Sequence, residues 1–172
     1  MPNWCENTLI VTGSNDRVKQ FMQETCHEKD NGDKELKFSA HFPEPNAEDW
    51  YDRRIKNWGT KWNGDIYDIK INEGELIVNF ASAWSPPTHW LQKVARIFPD
   101  LHFELTYMET GIWFAGLCIA EGEDFEDLDR EISQTDEEQR EVAYDSKRER
   151  YVYVDDGEVI EDEDFTPNYS VI

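Results

Sequence analysis

Three short segments concentrate the side chains able to hold a ligand: Trp4-Cys5-Glu6-Asn7, Asn57-Trp58-Gly59-Thr60-Lys61-Trp62-Asn63 and Ala83-Trp84-Ser85-Pro86-Pro87. Trp4, Trp58, Trp62 and Trp84, with Lys61 and Asn57 beside them, have the composition of a stacking platform with polar edges, the kind that takes bases, sugars or peptides. The same residues suit a structural role. An irregular loop needs large side chains to pin it, and indole N–H and Asn amide groups can satisfy its backbone.

Other chemistry has little support in the chain. Cys5, Cys26 and Cys118 are odd in number and far apart, and none belongs to a CxxC pair, so neither a disulfide framework nor a zinc or iron-sulfur site is expected. His27, His41, His89 and His102 have no metal-ligand spacing. The sequence has no phosphate-binding glycine loop, no G-x-S-x-G and no H-E-x-x-H. Acidic pairs such as Glu48 with Asp49 are informative only where burial shifts their pKa. A thiol nucleophile built from Cys5 and His89 is conceivable, but a free Cys near a strand start ordinarily belongs to the core. No enzyme activity, metal or cofactor is therefore expected.

Charge is the other chemical signal. Residues 121–172 hold 20 of the 38 acidic side chains against five of the 17 basic ones, so this extension carries −15 of the net −21. Such a surface repels nucleic-acid phosphate and anionic lipid and attracts cationic grooves over a Debye length of about 10 Å. Solvated surface that merely keeps a protein soluble has the same composition. Tyr144, Tyr151, Tyr153, Phe165 and Tyr169 make the extension too aromatic for pure disorder. The spacing predicts a helical turn within 121–131 anchored by Phe125 and Leu128, a short helix over 136–144 and a hairpin over 151–160. Asp155, Asp156, Glu158, Glu161, Asp162, Glu163 and Asp164 are then candidates for a partner-binding acidic surface. Fixed carboxylates of this kind can imitate duplex phosphates, whose axial spacing is about 1.7 Å.

The elements that must position these residues follow from periodicity over residues 1–120. A β-branched run at 8–12 reads as a strand, and Ser14 as the N-cap of a helix with Val18, Phe21 and Met22 on one face that Asn31-Gly32-Asp33 ends. After Leu36 to Phe42, a stretch rich in Pro, Asn and Trp that runs to about Gly64 reads as irregular. Strands at 66–71 and 76–81 flank the hairpin signal Asn72-Glu73-Gly74. Pro86-Pro87-Thr88 opens a helix with Trp90, Leu91, Val94, Ala95, Ile97 and Phe98 as its apolar set, and Pro99 stops it. Strands at 101–108 and 113–119 complete a second hairpin. The order β, α, β, β, α, β with one further strand predicts an α+β, ferredoxin-like split βαβ sandwich, an antiparallel sheet backed by two helices. In that topology the first and third strands run antiparallel side by side, which brings the three Trp segments to one end of the sheet.

Pro2-Asn3-Trp4-Cys5-Glu6-Asn7, the 57–63 segment, Trp84-Ser85-Pro86-Pro87 and Tyr107-Met108-Glu109-Thr110-Gly111 together resemble the YubB-type ferredoxin-like domain family of plasmids and phages. The resemblance covers about residues 1–120 and leaves the acidic extension 121–172 outside it. It implies a ferredoxin-like fold in the topological sense, without an iron-sulfur cluster, and carries over no catalytic residue. With the acidic extension it leads to the expectation of a non-enzymatic mobile-element interaction protein that mimics nucleic acid and inhibits a basic host protein. A small-ligand or peptide-binding module using the Trp-rich end is the alternative. Neither direct nucleic-acid binding nor a membrane partner is expected. The absence of a long apolar run and of signal-peptide character points to the cytoplasm of a bacterial host.

Overall fold

The computed structural model describes residues 3–43, 48–109, 111, 114–128, 130–131, 141–145, 150–155 and 158–160. Strand β1 (Trp4–Thr12) buries Cys5, Asn7, Leu9 and Val11 and turns Trp4, Glu6, Thr8 and Ile10 to the opposite face. This period-two alternation starts at Trp4, four residues earlier than the apolar run at 8–12 indicates, because polar Glu6 and exposed Trp4 occupy the outward positions. Helix α1 (Asn15–Thr25) places Val18 and Phe21 on the core, and the Ser14 carbonyl accepts the Val18 N–H at 3.0 Å, although the Ser14 side chain makes no cap bond.

Asn31-Gly32-Asp33 does not end that helix. It forms the turn between β2 (Cys26–Glu28) and β3 (Lys34–Leu36), with Gly32 at φ +87° as Asn-Gly hairpin turns require. After a single 3-10 turn over Phe38–Ala40, helix α2 (Trp50–Trp58) occupies part of the stretch expected to be irregular. Its cause is a side-chain ladder at helical spacing: Arg54 lies over the Trp50 ring at 4.9 Å and over the Trp58 ring at 5.0 Å. Asp49 also pairs with Arg53 at 2.8 Å. Gly59, left-handed at φ +86°, closes the helix.

Strands β4 (Gly64–Asn72) and β5 (Glu75–Ala83) form the expected hairpin, with Gly74 at φ +74°. Helix α3 (Thr88–Ile97) buries Trp90, Leu91, Val94 and Ala95. Ile97, expected in that apolar set, is the last residue of the helix and is 45% exposed. Strands β6 (His102–Glu109) and β7 (Phe114–Glu121) follow, and β8 (Asp124–Asp127) and β9 (Arg130–Glu131) both pair with β7.

The sheet order is β2-β3-β4-β5-β1-β6-β7-β8 and all its pairs are antiparallel. The central β4-β5-β1-β6 with α1 and α3 as crossovers is the ferredoxin-like sandwich. An aromatic cluster joins helices to sheet: Phe21 meets Phe98 and Phe103 edge-on at 5.3 and 5.4 Å, and Phe38 lies 4.9 Å from Trp90. Among the described residues no helix is long and apolar enough to cross a membrane.

The sheet runs on past residue 120. The helical turn expected around Phe125 and Leu128 is instead β8, which pairs Phe125 with Ala120 and packs Phe125 against the core, and the Leu128 N–H donates to the Leu117 carbonyl at 2.9 Å. An unpaired β7 edge has more hydrogen bonds to offer than a four-residue helix could make. The helix expected over 136–144 is also corrected, since β10 (Glu141–Asp145) is a strand, while 136–140 lie outside the described residues. It pairs with β11 (Arg150–Asp155), which pairs with β12 (Glu158–Ile160) in the hairpin expected there. Strand β10, in a separate sheet with β11 and β12, comes close to β6.

Candidate functional site

The register of β1 on β5 sets Trp4 opposite Ala83, and that of β4 on β5 sets Asp65 opposite Ala81, so all three Trp segments meet at one end of the sheet. A set of side-chain and backbone bonds ties them together. The Trp84 N–H donates to the Asn3 carbonyl at 2.9 Å, Thr60 Oγ1 to the Ala83 carbonyl at 2.8 Å, and Ser85 Oγ to the Gly59 carbonyl at 2.5 Å. Beneath them buried Asn7 donates through Nδ2 to the Cys5 carbonyl at 2.7 Å and Ser82 Oγ at 2.9 Å. The inward half of the Trp4-Cys5-Glu6-Asn7 segment is thus structural.

The six candidate ligand residues divide. Trp58 is a pin: it is 1% exposed, and its indole Nε1 donates to the Phe42 carbonyl at 3.2 Å. Asn57 is turned to α3, where its Oδ1 accepts from Lys93 Nζ at 2.8 Å, and takes no part in the Trp surface. Trp4, Lys61 and Trp62 come together, with the two indoles 6.3 Å apart at 41° and Lys61 Nζ 4.5 Å from the Trp62 ring centroid. Trp4 is 40% and Trp62 36% exposed. Trp84, half exposed, is held at φ +72°, a left-handed conformation that costs a residue with a Cβ about 1–2 kcal/mol. Trp4, Trp62 and Lys61 thus form a water-facing indole surface carrying one cation, which can stack on a planar or extended ligand, and Trp84 is exposed at the same end of the sheet.

Cys5 is no nucleophile. Burial, with the Glu109 carboxylate adding, pushes its thiol far above the ordinary range, so the reactive thiolate is suppressed. His89 is held elsewhere, its Nδ1–H donating to the Ile55 carbonyl at 3.0 Å. Among the described residues no group of His, Cys, Asp and Glu could hold a metal ion.

Two features escaped the sequence reading. Glu109 is 2% exposed and accepts the Gly111 N–H at 2.7 Å. The alternation Phe103, Leu105, Tyr107, Glu109 aims it inward, and that was the available signal. Tyr107 reaches across β7 to donate to Asp127 Oδ1 at 3.2 Å, above Gly116, where an added Cβ would overlap the phenol oxygen. This bridge needs β8, whose acidic sequence has no strand signature.

Residues 57–155 match the family described as the ferredoxin-like domain of Api92-like proteins. The chain belongs to this family. The Api92-like match starts at Asn57 and ends at Asp155, whereas the resemblance seen in the sequence covers about 1–120. Part of the acidic extension therefore lies inside the family's domain. No curated protein and no solved structure matches the chain. Of the candidate acidic residues, Asp155 closes β11 and pairs in register with Glu158 at the start of β12. Asp156, Glu161, Asp162, Glu163 and Asp164 lie outside the described residues.

Proposed function

We propose that the chain is a non-enzymatic binding protein whose ligand surface is the Trp4, Lys61, Trp62 and Trp84 end of the sheet. The observation that carries this reading is Trp84, a large apolar side chain held in a strained backbone conformation and pointed into water. Folding alone favours Gly or Asn at such a φ. Strained non-glycine residues cluster where a surface is shaped for binding. Peptides and small planar groups fit two tilted indoles edged by an ammonium. The test is capture of host proteins and small molecules by the full chain, comparing parent with Trp62→Ala and Trp84→Ala. Loss of the same bound species in both variants supports the reading, and an unchanged set refutes it.

A second reading rests on charge. The −15 of residues 121–172 supports an acidic surface that mimics nucleic acid and engages a basic host protein. The resemblance to YubB-type proteins supports an origin in plasmids or phages, where such inhibitors act in the host cytoplasm. Neutralising Asp155, Asp156, Glu158, Glu161, Asp162, Glu163 and Asp164 to Asn or Gln then slows association with the partner and flattens its salt dependence. Binding through the indoles responds little to salt, so the same capture at low and high salt separates the two readings.

A further inference from the structure

The geometry points to a receptor for one lysine or arginine side chain in the cleft between the C-terminal end of α2, the start of α3 and strands β6 to β8. The inference rests on the second reading above, that the partner protein is basic. The cleft has a volume of about 320 Å³ and lies between Gly59, Ser85, His89, Tyr107, Phe114 and Asp127. That is close to the lower limit of ligand pockets, about 300 Å³, and suits a single side chain better than a cofactor.

Thr88, at the start of α3, also lines the cleft, and three other polar side chains there present acceptors. Tyr107 passes over Gly116, its register partner on β7, and its hydroxyl donates to Asp127 Oδ1 at 3.2 Å on the following strand. One carboxylate oxygen is tethered by this bond and the other can accept from a ligand. His89 donates its Nδ1–H to the Ile55 carbonyl at 3.0 Å, so that in the neutral imidazole Nε2 is the acceptor. The Ser85 hydroxyl hydrogen is already committed to the Gly59 carbonyl at 2.5 Å. Tyr107 and Phe114, with ring centroids 6.1 Å apart at 60°, supply aromatic walls. A carboxylate, an imidazole lone pair and two rings favour a cation and disfavour an anion, even though a helix starts nearby.

The bridge also explains Gly116 and Tyr107 together. A side chain at 116 would push the phenol away, and without the phenol the exposed Asp127 would move freely among rotamers. Gly59 matters similarly, because a Cβ there would lie 3.1 Å from the Pro86 carbonyl and 3.4 Å from the Thr88 and His89 nitrogens, displacing the start of α3 from the cleft.

The test is an amide NMR titration of the full chain with N-acetyl-arginine methylamide, N-acetyl-lysine methylamide and the uncharged norleucine analogue. The expected result is saturable shifts at Gly59, His89, Tyr107 and Phe114 with the cationic probes alone. Asp127→Asn weakens them about tenfold, as loss of a charge-assisted bond does. Tyr107→Phe keeps the ring, frees the carboxylate and weakens binding less, which gives an independent arm if Asp127→Asn folds poorly. Equal shifts with norleucine, or parent-like titration in both variants, overturn the inference. The titration reads the cleft without any partner. A cleft that titrates in a protein capturing no basic host protein retires the second reading alone, and a cleft that does not titrate retires this inference alone.

Discussion

Trp84→Gly and Trp84→Ala both delete the indole and every contact it makes, so their difference isolates the backbone. At φ +72° a Cβ costs about 1–2 kcal/mol in left-handed geometry. Glycine gives back about 0.5–1 kcal/mol through the greater freedom of its unfolded chain. The balance leaves Trp84→Gly more stable than Trp84→Ala by up to about 1.5 kcal/mol, the reverse of the order in ordinary strand or helix positions. For a chain of this size each kcal/mol moves the melting temperature by about 2–4 °C. Urea unfolding followed by circular dichroism reads the difference as a shift in midpoint at constant slope. If Trp84→Ala equals or exceeds Trp84→Gly in stability, the backbone is not strained there. The argument that Trp84 is kept for binding then fails.

Further outcomes follow from burial and packing. Trp58→Ala removes a fully buried indole and costs about 3–5 kcal/mol, whereas Trp62→Ala at the partly exposed position costs about 1 kcal/mol or less; chemical denaturation of the two variants checks the contrast. Gly116→Ala forces Tyr107 off Asp127 and destabilises by about 1–3 kcal/mol, visible as a lower midpoint and a changed tyrosine absorbance. Burial pushes the Cys26 thiol from the 9.0 of a free thiol to about 12, and burial with Glu109 raises Cys5 further. Above the unfolded pKa the unfolded chain loses these protons while the folded chain keeps them. The contribution of the protonated thiols is therefore full below about pH 9 and is lost between pH 9 and about 12, by about 1.4 kcal/mol per pH unit for each thiol. Denaturation at stepped pH, with Cys→Ser variants showing a shallower fall, measures this. Alkylation of Cys26 at pH 8 is correspondingly slow in the folded protein and fast in urea.

The ferredoxin-like sandwich was legible because its signals are local. Alternation at Leu76, Val78 and Phe80 and the turn at Asn72-Glu73-Gly74 depend on residues a few positions apart, and the topology that follows brings Trp4, Trp62 and Trp84 together. Helix α2 was hidden because its apolar face is built from Trp50 and Trp58 with Arg54 between them, a cation that serves as packing only when it lies on indoles. Strand β8 has no intrinsic strand character and exists because β7 has an edge to fill. The fates of Trp58 and Trp62 could not be told from composition. They lie four residues apart, as helix neighbours would, but left-handed Gly59 ends the helix between them and sends one inward and the other to the surface. Asn57 fell outside the site for a similar reason, since the phase of α2 turns it toward Lys93.

The acidic strand that fills the β7 edge also governs how copies of the molecule meet. An open sheet ends in rows of unpaired amides and carbonyls that invite a second chain to add a strand. Here one border is β2, three residues long, and the other is β8, whose exposed Asp124, Glu126 and Asp127 stand along the rim. Two such rims brought together would oppose carboxylate to carboxylate, which is destabilising for directly facing strands. The extension of the sheet beyond the basic ferredoxin-like pattern thus acts against fibre-like stacking of the protein on itself. A chain cut at residue 120 would expose the β7 border and lose Phe125 from the core, and would be expected to aggregate where the full chain stays dispersed.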